Sequence, residues 1–356
     1  MGLVNLSMSG FRNFKDATLQ PSSGFNILTG DVGAGKTSVL EAVYILSRNR
    51  SFRTSNLDKL ISVKEPSFAI MADFKNENGF NGRLKLIRNK GKSEFYFNDE
   101  PIKKTALLSE LIPSLYFGSN SQIIFTGSPS VRRKFIDWGV YHYGTEIKHA
   151  YSFFNRVLKQ RNYTLKNHNV SRETKIWDEQ VAEYGEKISQ ARKEYVDLLF
   201  EYTKDMTTSF FKNLRLSFKF NQGWPENKDL LSVLEQNITK DIKSGVTEYG
   251  PHRADIILKV NGENAAAYCS CGQQKILSFC LFMAQYKLAC QNSNVNPIIL
   301  IDDIQSELNH ELSESALLEV KKLNSQVIST SLLKNINNLS FEMFHVKHNA
   351  INRVAS

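Results

Sequence analysis

The residue types best suited to chemistry stand near the start of the chain, in the segment Gly30-Asp31-Val32-Gly33-Ala34-Gly35-Lys36-Thr37. This segment fits the pattern G-x-x-x-x-G-K-[ST] of a phosphate-binding loop. Glycines allow backbone N–H groups to close around phosphate oxygens, Lys36 can reach the β- and γ-phosphates, and the Thr37 hydroxyl can hold Mg2+. The segment therefore predicts a nucleotide-binding site.

A strand before this loop and a helix after it are needed to position it. The short run Phe25-Asn26-Ile27-Leu28 predicts a buried strand. After the loop, Val39, Val43 and Leu46 recur at helical spacing. A helix that begins near Gly35 would add the positive end of its dipole to the phosphate site.

A second candidate for chemistry is the segment Pro297-Ile298-Ile299-Leu300-Ile301-Asp302-Asp303. Taken alone, it fits either a Walker B motif or an ordinary strand with an acidic end. With a phosphate loop upstream, it becomes the expected partner of that loop. Asp302 would hold Mg2+ opposite Thr37, and Asp303 would orient or deprotonate the attacking water.

A third candidate is the polar, glycine-containing helix start Ser270-Cys271-Gly272-Gln273. A helix start of this composition can hold an anion, or it can be an ordinary cap. Arg12 and Asn13, which precede the phosphate loop, are equally open. They fit contacts to phosphate or base, and they fit a capped turn.

Basic residues recur outside the nucleotide site, where they fit either a solvated surface or a contact with nucleic-acid phosphates. The candidates are Arg48, Arg50, Arg53, Arg132 and Arg133 and, in a predicted helical hairpin, Lys148, Arg156, Lys159, Arg161 and Lys166. Their spacing does not rank them as DNA contacts.

The remaining segments of the chain are assigned from their patterns of apolar and turn-forming residues. Strand-like segments between residues 68 and 97 predict an antiparallel meander, because turn-forming Asn-Gly and Lys-Gly pairs separate them. Residues 145–210 predict a helical hairpin zipped along its own apolar seam. Residues 341–346 predict an edge strand. We therefore expect an ATPase lobe over 1–120, a helical lobe over 121–280 and the remainder of the ATPase lobe over 281–356.

Composition narrows the class of protein. The chain has 356 residues and a formal net charge of +9, which suggests an anionic partner. No apolar run reaches the length of a membrane span, and the first residues lack the basic start and apolar core of a secretory signal. The four cysteines do not have the spacing of a zinc ribbon or finger. These features favour a cytoplasmic protein with no membrane association.

Several motifs follow one another in an order that is specific to one family. They are Phe11-Arg12-Asn13-Phe14, the phosphate loop, Ser51-Phe52-Arg53, Gly127-Ser128-Pro129 with Arg132-Arg133, Leu158-Lys159-Gln160-Arg161-Asn162, Gly250-Pro251-His252-Arg253, Ser270-x-Gly272-Gln273, and Asp302-Asp303 with Ser306-Glu307-Leu308. This order closely resembles the bacterial RecF family of DNA repair and replication ATPases over nearly the whole chain.

The resemblance implies an α/β fold, an ABC-type P-loop ATPase head like those of Rad50 and SMC proteins, with an inserted helical lobe. It implies an ATP-dependent homodimer in which Ser270, Gly272 and Gln273 meet the γ-phosphate held by the other subunit. It also implies DNA binding at gaps and junctions, weak DNA-stimulated ATP hydrolysis, and action with RecR and RecO to load RecA in repair, replication restart and the SOS response.

Three departures from the family pattern bear on hydrolysis and on signalling between subunits. They are Asn309 in place of Asp, Cys271 within the signature motif, and the altered segment 117–122. Two other classes compete with this interpretation. One is an ABC-type ATPase subunit that powers a membrane transporter, and the other is an accessory protein of a phage-defence nuclease. The hairpin and basic surface argue against the first, and the lack of a recognisable nuclease domain argues against the second.

Overall fold

The structure, a computed structural model, describes residues 2–75, 79, 81–144, 147–167, 172–293, 295–304, 308, 310–330, 341–347 and 350–354. Its strands are β1 (Gly2–Phe11), β2 (Phe14–Leu19), β3 (Phe25–Thr29), β4 (Ser67–Lys75), β5 (Asn81–Asn89), β6 (Lys92–Phe97), β7 (Glu100–Pro101), β8 (Ser114–Phe117), β9 (Leu216–Asn221), β10 (Asp255–Val260), β11 (Glu263–Asn264), β12 (Ile298–Ile301), β13 (Val327–Ser329), β14 (Phe341–Lys347) and β15 (Ala350–Val354). Its α-helices are α1 (Lys36–Arg48), α2 (Leu108–Leu111), α3 (Ile123–Thr126), α4 (Pro129–Tyr143), α5 (Ile147–Lys166), α6 (Arg172–Phe210), α7 (Leu230–Ser244), α8 (Ala265–Tyr268), α9 (Cys271–Ser293) and α10 (His310–Lys321).

The chain forms two compact units. The first comprises Met1–Asn120 and Val295–Ser356, and the second comprises Ser121–Asn294. The boundary that the sequence placed after residue 280 falls inside α9. Because this buried helix is continuous to Ser293, the units divide after it rather than within it.

The first unit contains two six-stranded sheets. One is antiparallel, in the order β2-β1-β4-β5-β6-β7, and includes the predicted meander. The other has the order β15-β14-β3-β13-β12-β8, in which only the β14–β15 pair is antiparallel. Strands β3 and β12 are buried along nearly their whole length. This explains their apolar sequences, because parallel strands are covered on both faces.

One strand prediction was wrong in its position. The segment predicted as an edge strand became β14, which pairs with β3 on one side and with β15 on the other. The edge is instead β15, whose residues are mostly exposed. Its weak alternation of polar and apolar residues gave no strand signal, because an edge strand with little buried surface has little apolar pattern to show.

The second unit is built around α6. In the first half of this helix, which the sequence assigned to a hairpin with α5, Val181 and Ile188 share a core with Phe154 and Val157 of α5. The second half of α6 belongs to a different core, with α4, α9 and the small sheet β11-β10-β9. Helix α5 has 20 residues and α6 has 39, so α5 is too short to pack along the whole of α6.

Candidate nucleotide-binding site

The predicted phosphate loop joins β3 to α1, as its sequence required. Gly30 has a φ of 137°, and a Cβ at this position would stand 2.2 Å from the backbone oxygen of Val346. Gly35 has a φ of 111° and caps α1, and a Cβ there would come within 2.7 Å of the Phe14 ring. Both positions therefore require glycine for conformation and for space.

Lys36 lies over the loop that precedes it. Its Nζ donates hydrogen bonds to the carbonyl oxygens of Gly30, at 2.7 Å, and Asp31, at 2.9 Å. The ammonium group is thus held at the mouth of the loop beside the amino end of α1, where a phosphate group would be attracted by both. Val32 at the tip of the loop is fully exposed.

The Walker B carboxylate reaches the end of the phosphate loop. The Thr37 hydroxyl donates to Asp302 Oδ1 over 3.1 Å, and the Thr330 hydroxyl donates to the same oxygen over 2.7 Å. The Tyr116 hydroxyl lies 3.5 Å from Asp302 Oδ2. Burial raises the pKa of Tyr116, and the Asp302 carboxylate raises it further, so the phenol stays a neutral donor.

Sheet topology explains this convergence. Strands β3, β13, β12 and β8 are neighbours and run parallel, so their carboxyl ends meet at one edge. Ligand sites in open α/β sheets form at this edge. Thr330 and Tyr116 were not predicted as site residues, because their approach to Asp302 depends on the strand order.

Asp303 is held in an unusual backbone conformation directly after the buried Asp302. Its φ is 52°, in the left-handed region that non-glycine residues seldom adopt. Its N–H donates to the Thr330 hydroxyl over 3.1 Å, and the residue is exposed. Strain of this kind concentrates at functional sites, which is consistent with the role predicted for this carboxylate.

Arg12 and Asn13, which the sequence left open, both serve the local structure. The Arg12 guanidinium forms two 2.8 Å hydrogen bonds with the fully buried carboxylate of Glu41 on α1. Ser51 donates to the same carboxylate. Asn13 donates from Nδ2 to the carbonyl oxygen of Ala34 within the phosphate loop, at 2.9 Å. The turn between β1 and β2 therefore supports the loop and the helix behind it.

Glu41 was missed as a residue of the site. A signal was available, because it is the only charged residue of α1 between Lys36 and Arg48 and stands among buried apolar neighbours. A buried carboxylate needs a cationic or hydrogen-bonding partner, and Arg12 was one of the basic residues before the loop.

The helix start with the proposed signature motif lies in the second unit and forms an ordinary cap. Ser270 N donates to Gln273 Oε1 over 2.9 Å, and Gln273 N donates to Ser270 Oγ over 3.3 Å. This reciprocal pair is a capping box at the amino end of α9. Ser270 is exposed, and Gly272 and Gln273 are half-buried. Capping does not prevent an anion contact, since the side chains can exchange one oxygen partner for another.

The basic residues that the sequence left open as DNA contacts differ in their burial and in their partners. Arg132 forms an ion pair with Asp255 and donates to the Gly127 carbonyl, and Arg133 donates to the Ala254 carbonyl. Arg161, predicted on the surface of the hairpin, is fully buried. Its partners are carboxylates on two other helices, so burial could not be read from its own helix. The remaining candidates are half-buried or exposed: Arg48, Arg50, Arg53, Lys148, Arg156, Lys159 and Lys166.

Some predictions fall outside the described residues, namely those for Ser306, Glu307 and Asn309. In the part of the chain that the structure describes, no helix is long and apolar enough to cross a membrane. The same part contains no cluster of three or more His, Cys, Asp or Glu side chains that could hold a metal ion. A metal at the nucleotide site would therefore need oxygens from the nucleotide or water beside those of Thr37 and Asp302.

The donor set at this site fits magnesium and a triphosphate. Thr37 and Asp302 present a hydroxyl and a carboxylate oxygen 3.1 Å apart, and Mg2+ prefers oxygen donors with few protein ligands and several from water or phosphate. Lys36 and the amino end of α1 supply positive charge for the phosphate groups.

Comparison with known proteins identifies the family. Residues 2–353 match the family model described as the RecF/RecN/SMC N terminal domain. The DNA replication and repair protein RecF of Shewanella denitrificans is 34% identical over 333 residues, which cover 93% of this chain and 92% of that protein. This chain belongs to the RecF family.

Other relatives agree with this membership. RecF of Shewanella woodyi is 33% identical over 357 residues, with 99% of this chain and 98% of the relative covered. A solved structure of RecF, described as the recombination mediator protein RecF-ATP in the RecFOR pathway, has a TM-score of 0.88 at 24% identity and covers 99% of this chain and 97% of its own. The Smc head domain of Pyrococcus furiosus has a TM-score of 0.61 at 14% identity and covers 99% of this chain and 95% of its own. These likenesses confirm the predicted ATPase head with a helical insert.

Proposed function

We propose that this RecF-family chain is an ATP-switched DNA-binding protein of recombinational repair and replication restart. The observation that supports the proposal most strongly is the convergence of Lys36, Thr37 and Asp302 at one sheet edge. The solved RecF relative is described as an ATP complex of the RecFOR pathway. The curated relatives are named DNA replication and repair proteins.

The residues have distinct roles in this proposal. The loop formed by residues 30–36 wraps the phosphates, with Lys36 on the β- and γ-phosphates. Thr37 and Asp302 hold Mg2+, which when bound supplies positive charge that offsets the phosphate charge. Asp303, exposed beside Asp302, orients the attacking water or accepts its proton.

Dimerisation is the second part of the proposal. Two copies associate when ATP is bound, and Ser270, Gly272 and Gln273 of each copy contact the γ-phosphate held by the other. Their exposed or half-buried positions at the start of α9 leave them accessible for this contact. The amide groups of the helix start suit an anionic phosphate. ATP then acts as the link between the subunits, and slow, DNA-stimulated hydrolysis releases the dimer from DNA.

The proposed partners are DNA with gaps or junctions, RecR, RecO and RecA, and the proposed location is the cytoplasm. The competing idea of an ATPase subunit for a membrane transporter receives no support, because the matching family model is that of RecF, RecN and SMC proteins.

The proposal is tested by fluorescence anisotropy with gapped duplex DNA and the full-length protein in the presence of Mg2+ and ATP, ADP or no nucleotide. We expect the original protein to bind the gapped DNA tightly only when ATP is present. In Lys36→Met, ATP should not increase DNA binding. Equal binding in all three nucleotide states, or an unchanged response of Lys36→Met, would contradict the switch.

A further inference from the structure

Helix α5 has an unusual charge distribution. Its twenty residues, Ile147–Lys166, contain no aspartate or glutamate. Of its basic residues, Arg156, Lys159 and Lys166 are exposed. A solvated helix face ordinarily mixes both signs of charge, so an all-positive helix requires an explanation.

Five of the exposed residues lie on one side of the helix. Ser152, Arg156, Lys159, Tyr163 and Lys166 follow one another at spacings of four, three, four and three residues, and all are exposed. At 3.6 residues per turn these positions fall within an arc of about 80°, and Arg156 and Lys166 are about 15 Å apart along the axis. We call these five residues the α5 basic face.

No acidic side chain neutralises this face within the described residues. Arg156, Lys159 and Lys166 form no ion pair there, and the stem of Lys166 passes close to Gly245 at the end of α7. On α6 the situation differs, because Lys187 is paired with Glu183 at 2.6 Å. Exposed acidic residues recur along that helix at Glu179, Glu183, Glu186, Glu194, Asp197 and Glu201.

A buried cluster fixes the orientation of this face. The Arg161 side chain points inward and contacts Asp178 of α6 at 2.5 Å and Asp241 of α7 at 2.6 Å. It also donates to the Thr247 hydroxyl over 2.8 Å. Since one guanidinium joins three elements, α5 cannot rotate freely, and its outer residues are held in a constant direction. A rigid element of this kind presents charges with little ordering cost on binding.

Tyr163 adds an aromatic group to the face. It lies between Lys159 and Lys166, and 67% of it is exposed. Proteins that bind single-stranded nucleic acid combine basic residues, which follow the backbone, with aromatic rings on which bases stack. The combination on α5 therefore fits a polyanion that also carries flat unpaired rings.

We propose that the α5 basic face binds the phosphate backbone of DNA next to a single-stranded gap, with Tyr163 stacking on an unpaired base. The inference rests on the proposed function, since it specifies the surface by which the chain holds DNA. Charge complementarity selects this occupant, and the exposed ring distinguishes gapped DNA from an uninterrupted duplex.

The main test compares two triple variants in the ATP and Mg2+ state. Arg156→Gln/Lys159→Gln/Lys166→Gln removes three charges from α5, and Lys187→Gln/Lys193→Gln/Lys204→Gln removes three from α6. We expect the magnitude of the α5 variant's slope of log K against log salt to decrease by about 2.7, and its affinity for gapped DNA near 0.1 M salt to fall on the order of several hundredfold. The α6 control should change little, because it loses the same net charge from a different surface.

Three single variants extend the test. Lys159→Gln should decrease the magnitude of the slope of log K against log salt by about 0.9. Because it is a single substitution of an exposed residue, it should leave the fold unchanged. Tyr163→Ala should weaken binding to gapped DNA by about five- to a hundredfold and leave uninterrupted duplex unaffected, whereas Tyr163→Phe should bind like the original protein.

The outcomes separate the inference from the function on which it rests. If the unaltered protein binds gapped DNA with ATP but the α5 triple variant and Lys159→Gln keep its affinity and salt slope, the inference is overturned and the function stands. Equal losses in the α5 and α6 triple variants would also overturn it, since net charge alone would explain them. Failure of the unaltered protein to bind DNA in any nucleotide state would remove the proposed function itself.

Discussion

The Thr37 hydroxyl and the Asp302 carboxylate are in hydrogen-bond contact at 3.1 Å, although 265 residues separate them in the chain. Parallel pairing of the strands between them brings the two together. Thr330, one residue beyond β13, braces the same carboxylate oxygen at 2.7 Å. The candidate metal site is therefore a product of the sheet, assembled from three strand ends and one loop.

Thr330→Val should weaken magnesium binding while the nucleotide site stays folded. The substitution removes the hydroxyl that orients Asp302 and keeps the shape of the side chain. Loss of a supporting hydrogen bond to a metal ligand typically costs about 10- to 100-fold in metal affinity. Calorimetric titration of ATP with and without Mg2+ checks this. We expect the variant to match the original protein without Mg2+, and an equal response to Mg2+ in both proteins would exclude the bracing role.

Arg12→Met should destabilise the first unit, because it leaves the Glu41 carboxylate buried with fewer partners. Removing one member of a fully buried ion pair costs about 3–5 kcal/mol, and the cost here should lie near or below the lower value because Arg12 is 22% exposed and Ser51 still donates to Glu41. The double variant Arg12→Met/Glu41→Met should recover much of that loss, since no buried charge remains. Urea unfolding of the single and double variants measures both values. A double variant no more stable than Arg12→Met would show that the ion pair does not account for the effect.

Two glycines of the phosphate loop offer a matched pair of substitutions. At Gly30 a Cβ would meet the Val346 backbone at 2.2 Å, whereas at Gly33, where φ is 83°, it would meet nothing within 4 Å. Gly33→Ala should therefore cost only the strain of its backbone conformation, about 1–3 kcal/mol. Gly30→Ala carries the clash in addition and should melt at a lower temperature. Equal melting temperatures in a thermal scan would contradict the close approach of β14 to the loop.

His252 should make stability depend on pH. Its Nε2 lies 2.9 Å from the Thr247 carbonyl, to which it donates, and its buried Nδ1 has no partner within the described residues. Burial lowers the pKa of this imidazole below its ordinary value of 6.5, and nearby arginines lower it further. The unfolded chain therefore takes up a proton before the folded protein does. The contribution of neutral His252 to the free energy of unfolding is therefore fully present above about pH 6.5, and it declines as the pH falls towards the folded-state pKa.

The measurement is the unfolding midpoint between pH 7.5 and pH 5 for the original protein and for His252→Gln. We expect a steeper decline in the original protein, because the variant lacks the titrating ring. Parallel curves for the two proteins would remove His252 as the source of the dependence.

Local motifs were predictable from the sequence because their chemistry is encoded in neighbouring residues. The phosphate loop needs its glycines, Lys36 and Thr37 in one turn, and Asp302 directly follows the apolar strand that buries its backbone. Glu41 was missed although its place as a lone charge among the apolar residues of α1 was a signal. Thr330 escaped prediction because its partner Asp302 comes from another strand end, which only the strand order brings close. Arg161 was assigned to the surface for the same reason, since Asp178 and Asp241 lie on other helices.

The resemblance to the RecF family predicted more of the fold than residue patterns alone could. Helical periodicity predicted a hairpin over residues 145–210 zipped along its own seam, whereas the second half of α6 packs against α4, α9 and β9. Periodicity identifies which side of a helix is apolar, but the element that covers this side is decided by lengths and connections elsewhere in the chain.

ATP-dependent dimerisation is best measured by sedimentation velocity of the full-length protein with Mg2+ and ATP, ADP or no nucleotide, run beside Lys36→Met. We predict a dimer with ATP in the original protein and a monomer in every other sample. A mass that is the same in all nucleotide states, or an ATP-dependent dimer of Lys36→Met, would contradict the proposal that ATP at this site joins two subunits.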